Sequence, residues 1–302
     1  MCGTRIENLK LLKVVDGDTI KVELNNESES LRLLALDTEE SNRGSSKPVT
    51  NAGKLASQWA KRFFDCDEDG FPRSDVRVTI EFDTQDSVED SLKRHRGNYG
   101  RLLCYVLKEN ENYNITAVKA GWSPYFVKYG RSRLYHEHFL QAESEAMAAI
   151  KGVWDESINS TGLTRDYQQL LPWWYMRGNL VNDYRKFGIP AGVISVRLDY
   201  QKILDAAENN QQITVFCDLQ GGINRRTGNG AVIFAGSPQH KFNLWIADRF
   251  SEQGLKIINL VEKRYTGINR GYVYVTGKVV FYKPGRPQIV LDSFTQFSDY
   301  PN

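Results

Sequence analysis

At 302 residues, 41% hydrophobic and 12% aromatic, the chain is long enough for two domains of roughly 150 residues, each with a real core. With 39 Lys and Arg against 37 Asp and Glu the formal charge is +2, which excludes a strong overall field for a polyanion and leaves only local binding. No apolar run approaches the roughly 20 residues of a membrane span, no charged-then-apolar leader is present, and Cys2, Cys66, Cys104 and Cys217 lie too far apart for a zinc pair or a disulfide framework.

Residues 6–24 read as an extended hairpin arm followed by a polar loop at 25–30. Within the arm, Val14-Val15-Asp16-Gly17-Asp18-Thr19 is a turn feeding a strand. Alternation sets Asp18 in line with Ile20, Val22 and Leu24, so a carboxylate begins an apolar face. Residues 31–40 follow, LRLLALDTEE. Apolar side chains at both parities predict a strand covered on both faces, where a lone guanidinium would cost on the order of several kcal/mol. Arg32 therefore requires an anionic ligand or a fixed partner, and a structural ion pair with Asp37 or Glu40 is the plain alternative. The run ends in Asp37, Thr38, Glu39 and Glu40, so the strand delivers acid to its own end. Along an unbroken strand Arg32 and Asp37 point to opposite faces; joining them requires a bend or bulge before Asp37.

Residues 41–51, with Gly44, Ser45, Ser46 and Pro48, form an irregular loop beside the acids, a candidate flap or an ordinary surface loop. Helical spacing through Leu55, Trp59 and Phe63 marks 52–64, and 76–82 alternate as a strand. Residues 83–98 carry acids and then Lys93, Arg94, His95 and Arg96, a basic cluster suited to a phosphate backbone or else a solvated loop. Tyr99-Gly100-Arg101 places a second arginine at the head of a strand over 102–107. Helices are expected at 115–120 and 133–150, the second ended by Gly152. His136 and His138, two apart on that helix, diverge and make no metal pair.

Three strand ends thus supply two cations and several carboxylates. Calcium takes oxygen ligands, and Asp18 with Asp37 can supply the first two. Paired guanidinium groups suit a phosphodiester and the charge that builds on it in a pentavalent transition state. Glu40 remains as a candidate general base for water. Metal, base and arginine pair describe in-line phosphodiester hydrolysis.

DGDT at 16–19, RLLALDTEE at 32–40, YGR at 99–101, HE at 136–137, AESEA at 142–146 and GVW at 152–154 occur in an order that resembles the staphylococcal (micrococcal) nuclease family. The resemblance covers roughly the first half. It implies a five-stranded OB-type barrel with helices, and a calcium-dependent endonuclease leaving 3′-phosphate and 5′-hydroxyl ends on DNA or RNA. It also implies Asp18 and Asp37 as calcium carboxylates, Thr38 as a backbone-carbonyl ligand, Glu40 as the residue acting on water, and Arg32 with Arg101 as the phosphate-binding pair. The family's proline after Asp-Thr is Glu39 here, which adds a charge beside the proposed metal. The base-stacking aromatic aligns with either Tyr125 or Tyr129.

Residues 155–165, rich in Ser, Asn, Thr and Gly, read as a linker, and 167–187 as a largely helical aromatic stretch with Pro172 early in it. Its aromatics pack a core or offer stacking platforms. Beyond residue 191 short strands recur at 193–198, 212–219, 231–234, 242–247, 272–282 and 288–297, with helices at 200–207 and 255–263, so a second, OB-like small barrel is expected. The closing YVYVTGKVVFYKPGRPQIVLDSFTQF weakly resembles the end of OB-type nucleic-acid-binding domains. Its candidate tools are Arg225 and Arg226 in a loop over 221–230, Arg264, Arg270, Tyr265 and Tyr272.

The expected architecture is therefore mainly β with helices: a catalytic domain at 1–155, a linker and aromatic helix at 156–190, and a binding or assembly module at 191–302. The expected function is a calcium-dependent nuclease; a non-catalytic nucleic-acid-binding or scaffold protein on the same fold is the alternative. Cys2-Gly3 fits the first residue of a processed lipoprotein whose signal was replaced by a methionine, and otherwise the sequence reads as cytoplasmic.

Overall fold

A computed structural model describes residues 2–42, 48–158, 165–219 and 221–301, the side chains of 226 and 227 excepted. The chain divides into two compact units, one of Met1–Val127 with Arg131–Leu171, the other of Lys128–Gly130 with Pro172–Asn302.

In the first unit β1 (Arg5–Val14), β2 (Thr19–Leu24) and β3 (Glu27–Leu33) form a meander, followed by α1 (Asn51–Phe63), β4 (Arg77–Glu81), α2 (Val88–Arg94), β5 (Leu102–Lys108), β6 (Glu111–Asn112), α3 (Tyr113–Lys119) and α4 (His136–Ala148). The strand order β3-β2-β1-β4-β5 is closed by parallel pairing of β3 with β5, giving the five-stranded barrel. Val14, Ile20, Val22, Leu31, Ile80, Leu102 and Val106 are fully buried inside it. The polar loop expected over 25–30 is shorter than the sequence suggested. Asn25 and Asn26 both have positive φ, 53° and 63°, the twist a two-residue hairpin needs, so β3 already begins at Glu27. The acids and bases of 83–98 include a short helix, α2, whose Ser87 cap accepts from the Asp90 N–H.

Helix α1 is capped by Thr50, whose side chain accepts from the Gly53 N–H. Its Trp59 and Phe63 rings pack against Tyr113 at 5.4 and 5.1 Å, contacts worth ~0.5–1.5 kcal/mol each beyond simple burial. Cys104 is buried in β5, and burial raises its thiol pKa. All four cysteines are free.

The second unit takes in most of α5 (Tyr167–Asp183), a π-turn at Tyr184–Gly188, β7 (Ile194–Ser195), α6 (Tyr200–Glu208), β8 (Gln212–Asp218), β9 (Ile223–Thr227), β10 (Gly230–Phe234), β11 (Asn243–Ile246), α7 (Glu252–Arg264), β12 (Tyr272–Lys283), β13 (Arg286–Val290) and β14 (Phe297–Ser298). Its strands form a second sheet in the order β7-β8-β12-β13-β11-β10-β9. The long β12 serves both halves, pairing with β8 over its first part and with β13 over its second. The unit is β-rich as expected, but pairing that would close it into an OB-like barrel is not found among the described residues. The 221–230 segment, expected as a loop, contains strand β9. Among the described residues no helix is long and apolar enough to cross a membrane.

Candidate functional site

The bend that the sequence required before Asp37 is present. Strand β3 stops at Leu33, and Ala35 adopts a left-handed φ of 63°. Three contacts hold the exit. Asn114 of α3 donates to the Leu34 carbonyl at 2.8 Å, Phe126 N–H donates to the Ala35 carbonyl at 2.9 Å, and Ser123 Oγ accepts from the Asp37 N–H at 2.9 Å. The predicted two-faced strand therefore ends three residues earlier, at Leu33, and Leu34 and Ala35 are only half-buried.

With the chain turned, Arg32 spans both acids. Its Nη1 lies 2.7 Å from Asp18 Oδ2 and its Nη2 donates to Asp37 Oδ1 at 2.8 Å. Thr38 joins them, its N–H and hydroxyl reaching Asp18 Oδ2 at 3.0 and 3.2 Å. Thr19, opposite Arg32 in the β2–β3 register, donates to Asp18 Oδ1 at 3.0 Å and accepts from Arg101 Nη1 at 3.2 Å. One hydroxyl thus links the second arginine to the first acid. Glu40 lies at the start of the loop; its carbonyl accepts from the Thr50 N–H at 3.1 Å, which ties it to the cap of α1.

The turn before Asp18 carries a further acid that site prediction missed. Asp16 Oδ1 accepts from the Asp18 N–H at 3.0 Å, and the Asp16 carboxyl is pushed up to about 7 by burial first and by the neighbouring Asp18 charge second. Tyr113 closes the turn from below, donating its hydroxyl to the Gly17 carbonyl at 2.8 Å. The donor set is all hard oxygen and rich in acid, which fits a calcium-like cation. Among the described residues no three carboxylate, histidine or cysteine side chains gather as a metal cluster, so such a cation would rest on Asp18, Asp37, backbone carbonyl and water.

Arg165 and Tyr167, which the sequence reading left in the linker and the aromatic stretch, also belong here. Arg165 Nη1 pairs with Asp37 Oδ2, its Nη2 donates to the Asp37 carbonyl at 2.5 Å, and its Nε meets Glu39 Oε1 at 3.2 Å. The Tyr167 hydroxyl donates to the same Glu39 oxygen at 2.6 Å and accepts from Arg165 Nη2 at 3.0 Å. Burial lowers the proton affinity of Arg165, but Asp37, with Tyr167 and Glu39, outweighs it and leaves the pKa above the ordinary arginine value. Glu39, the departure from the family's proline, is the anchor of this group. The signal available in sequence was the acid that stands at position 39 in place of that proline.

Other predicted residues have partners of their own. Tyr125 is 0% exposed, stacked on Phe139 at 4.8 Å and bonded to His136 Nδ1 at 3.1 Å; a core ring with no open face cannot stack on a base. Tyr129 falls in the second unit, against Leu180, Val181 and Tyr184. Lys93 pairs with Glu89 at 2.6 Å, Arg94 with Asp86 at 3.1 Å, and Arg96 with both Glu29 oxygens at 3.1 and 3.0 Å, so the basic cluster is largely engaged by its own acids. In the second unit Arg225 pairs with Glu262, and Arg264 and Arg270 converge on Asp299. Tyr272 is buried, stacked on Phe216 at 4.9 Å with Arg177 on its ring. The Arg226 side chain lies outside the described residues.

A family profile described as Staphylococcal nuclease homologue matches residues 30–156. A thermonuclease of Staphylococcus hyicus is 30% identical over 149 residues, 49% of this chain and 76% of its own. An endonuclease of Bacillus subtilis, YncB, is 29% identical over 51% of this chain and 64% of its own, and an uncharacterized protein of Methanocaldococcus jannaschii is 31% identical over 50% and 72%. With its barrel, its strand-end acids and arginines, and relatives matched over most of their length, the chain belongs, through its first half, to the family of staphylococcal nuclease homologues.

Proposed function

We propose that the first unit is a calcium-dependent nuclease that hydrolyses phosphodiester bonds of DNA or RNA and leaves 3′-phosphate and 5′-hydroxyl ends. The observation that carries this reading is the Arg32 guanidinium spanning Asp18 at 2.7 Å and Asp37 at 2.8 Å, with Arg101 one threonine hydroxyl away. The names thermonuclease and endonuclease borne by its relatives support it.

Asp18, Asp37 and the Thr38 carbonyl would hold the cation, which when bound supplies Lewis-acid stabilisation of charge on the phosphoryl oxygens. Arg32 and Arg101 bind those oxygens and meet the charge that grows in the pentavalent state. Glu40 takes a proton from water as the water–phosphorus bond forms. The bond from phosphorus to the 5′ oxygen breaks on the opposite side, and that oxygen leaves as the hydroxyl, taking its proton from solvent water while Glu40 later returns its own to solvent. The second unit then presents or assembles around the substrate; no chemistry is assigned to it.

The test is cleavage of labelled single- and double-stranded oligonucleotides with calcium and with chelator, wild type beside Arg32→Ala. Calcium-dependent cutting lost in the variant is the expected result. Binding without cutting under every metal tried would replace this reading with the non-catalytic one.

A further inference from the structure

The resemblance leads one to expect a proline at position 39, and the structure places there a buried glutamate whose partners, Arg165 and Tyr167, lie beyond the matched segment of 30–156. The arrangement has a direction. Asp37 Oδ1 is taken by Arg32, while its Oδ2 and its carbonyl oxygen both face Arg165. Three contacts to Glu39, from the Arg165 N–H, the Arg165 Nε and the Tyr167 hydroxyl, fix the guanidinium in that position, and the arginine side chain is only 12% exposed. A tethered, desolvated cation on a carboxylate competes with any other cation for it, because both require the same lone pairs and the same negative charge.

We propose that Arg165 is a built-in competitor for the metal at Asp37: the guanidinium holds the carboxylate that calcium would require, and Glu39 with Tyr167 sets how firmly it is held. This rests on the metal-dependent reading above. Its consequence is a catalytic domain whose metal affinity is set by a segment outside the matched family region, so that a change holding residues 165–167 away from Glu39 would raise calcium affinity, and one pressing them down would lower it.

The test is calorimetric titration of the full chain with calcium alone, comparing wild type, Arg165→Gln, Glu39→Gln and the double variant. Arg165→Gln should bind calcium on the order of tenfold more tightly, within the range that one coupled charge exerts. Glu39→Gln should shift affinity the same way but less, since the tether is loosened while Asp37 and Arg165 remain. The double variant guards against misfolding of the single one, because it leaves no buried Glu39 charge without its cation; it too should bind more tightly than wild type. Equal or weaker calcium binding in folded Arg165→Gln and in the double variant overturns the competitor role alone. Failure of wild type and variants alike to bind calcium overturns the metal-dependent reading, and this inference with it.

Discussion

Gly53 lies so close to Glu40 that a Cβ on it would meet the Glu40 carbonyl oxygen at 2.1 Å and the Glu39 carbonyl oxygen at 2.7 Å. The first turn of α1 is thus pressed directly onto the acid segment. Because backbone is the obstacle, neither side can give way cheaply. Gly53→Ala is expected to lower stability by ~1–3 kcal/mol, as overpacking does, and to lower kcat through displacement of Glu40. Urea unfolding and a cleavage assay on the same preparation check both halves.

Glu40→Gln keeps the shape of the side chain and removes its capacity to accept a proton. Turnover should fall by roughly 10²- to 10⁴-fold, while oligonucleotide affinity in calcium changes little. Equal losses in turnover and affinity would remove Glu40 from the role of base.

Arg32→Ala should destabilise the metal-free protein, because Asp18 and Asp37 would share a buried site without the guanidinium between them. The expected loss is ~2–4 kcal/mol, on the low side for a broken buried pair since Arg32 is partly exposed. Calcium should recover more melting temperature in this variant than in wild type, measured by thermal unfolding with and without chelator.

Asp16 makes metal-free stability depend on pH. Its carboxyl is raised from 3.8 to about 7 by burial and by Asp18, so the folded state holds a proton that the unfolded chain releases. That contribution is complete below about pH 3.8 and is lost as pH rises through about 7. Asp16→Asn should flatten this part of the stability profile and gain roughly 1–3 kcal/mol at pH 8 in chelator, read by urea unfolding across the range.

Truncation separates the Glu39 anchor, which belongs to the first unit, from the second unit. A chain ending at Leu171 retains Arg165 and Tyr167 and should fold with the metal affinity of the full protein. A chain ending at Asp155 leaves Glu39 buried without Arg165 or Tyr167. It should be less stable by ~3–5 kcal/mol, as circular dichroism melting of the two fragments would reveal.

Much of the first unit was legible because local pattern and tertiary role coincide there. Alternating apolar residues marked β2 and β4, helical spacing marked α1, and the abrupt change from apolar to acidic at Leu36-Asp37 marked the segment that carries the acids, beyond the end of β3 at Leu33. Aromatic residues were less legible. Tyr125 and Tyr272 carry the same chemistry as a base-stacking platform, and only burial against Phe139 and Phe216 reveals them as core. The partners of the basic residues were less legible for a related reason: charge in sequence does not reveal the carboxylate that meets it, and Glu29, Glu262 and Asp299 lie 67, 37 and 35 or fewer residues away from the arginines they hold.

The sequence by itself pointed to an acid-rich set of oxygen donors, two arginines and the need for a bend before Asp37: the partner for Arg32 follows from the cost of burying charge in a strand, and the bend from the alternation of side chains. Only the tertiary structure decided how that bend is made, through a left-handed Ala35 braced by Asn114 and Ser123, and which cation stands on Asp37. Arg165 is 128 residues from its carboxylate; no local pattern can announce such a pair, because the energy that joins them exists only once both are withdrawn from water at the same place.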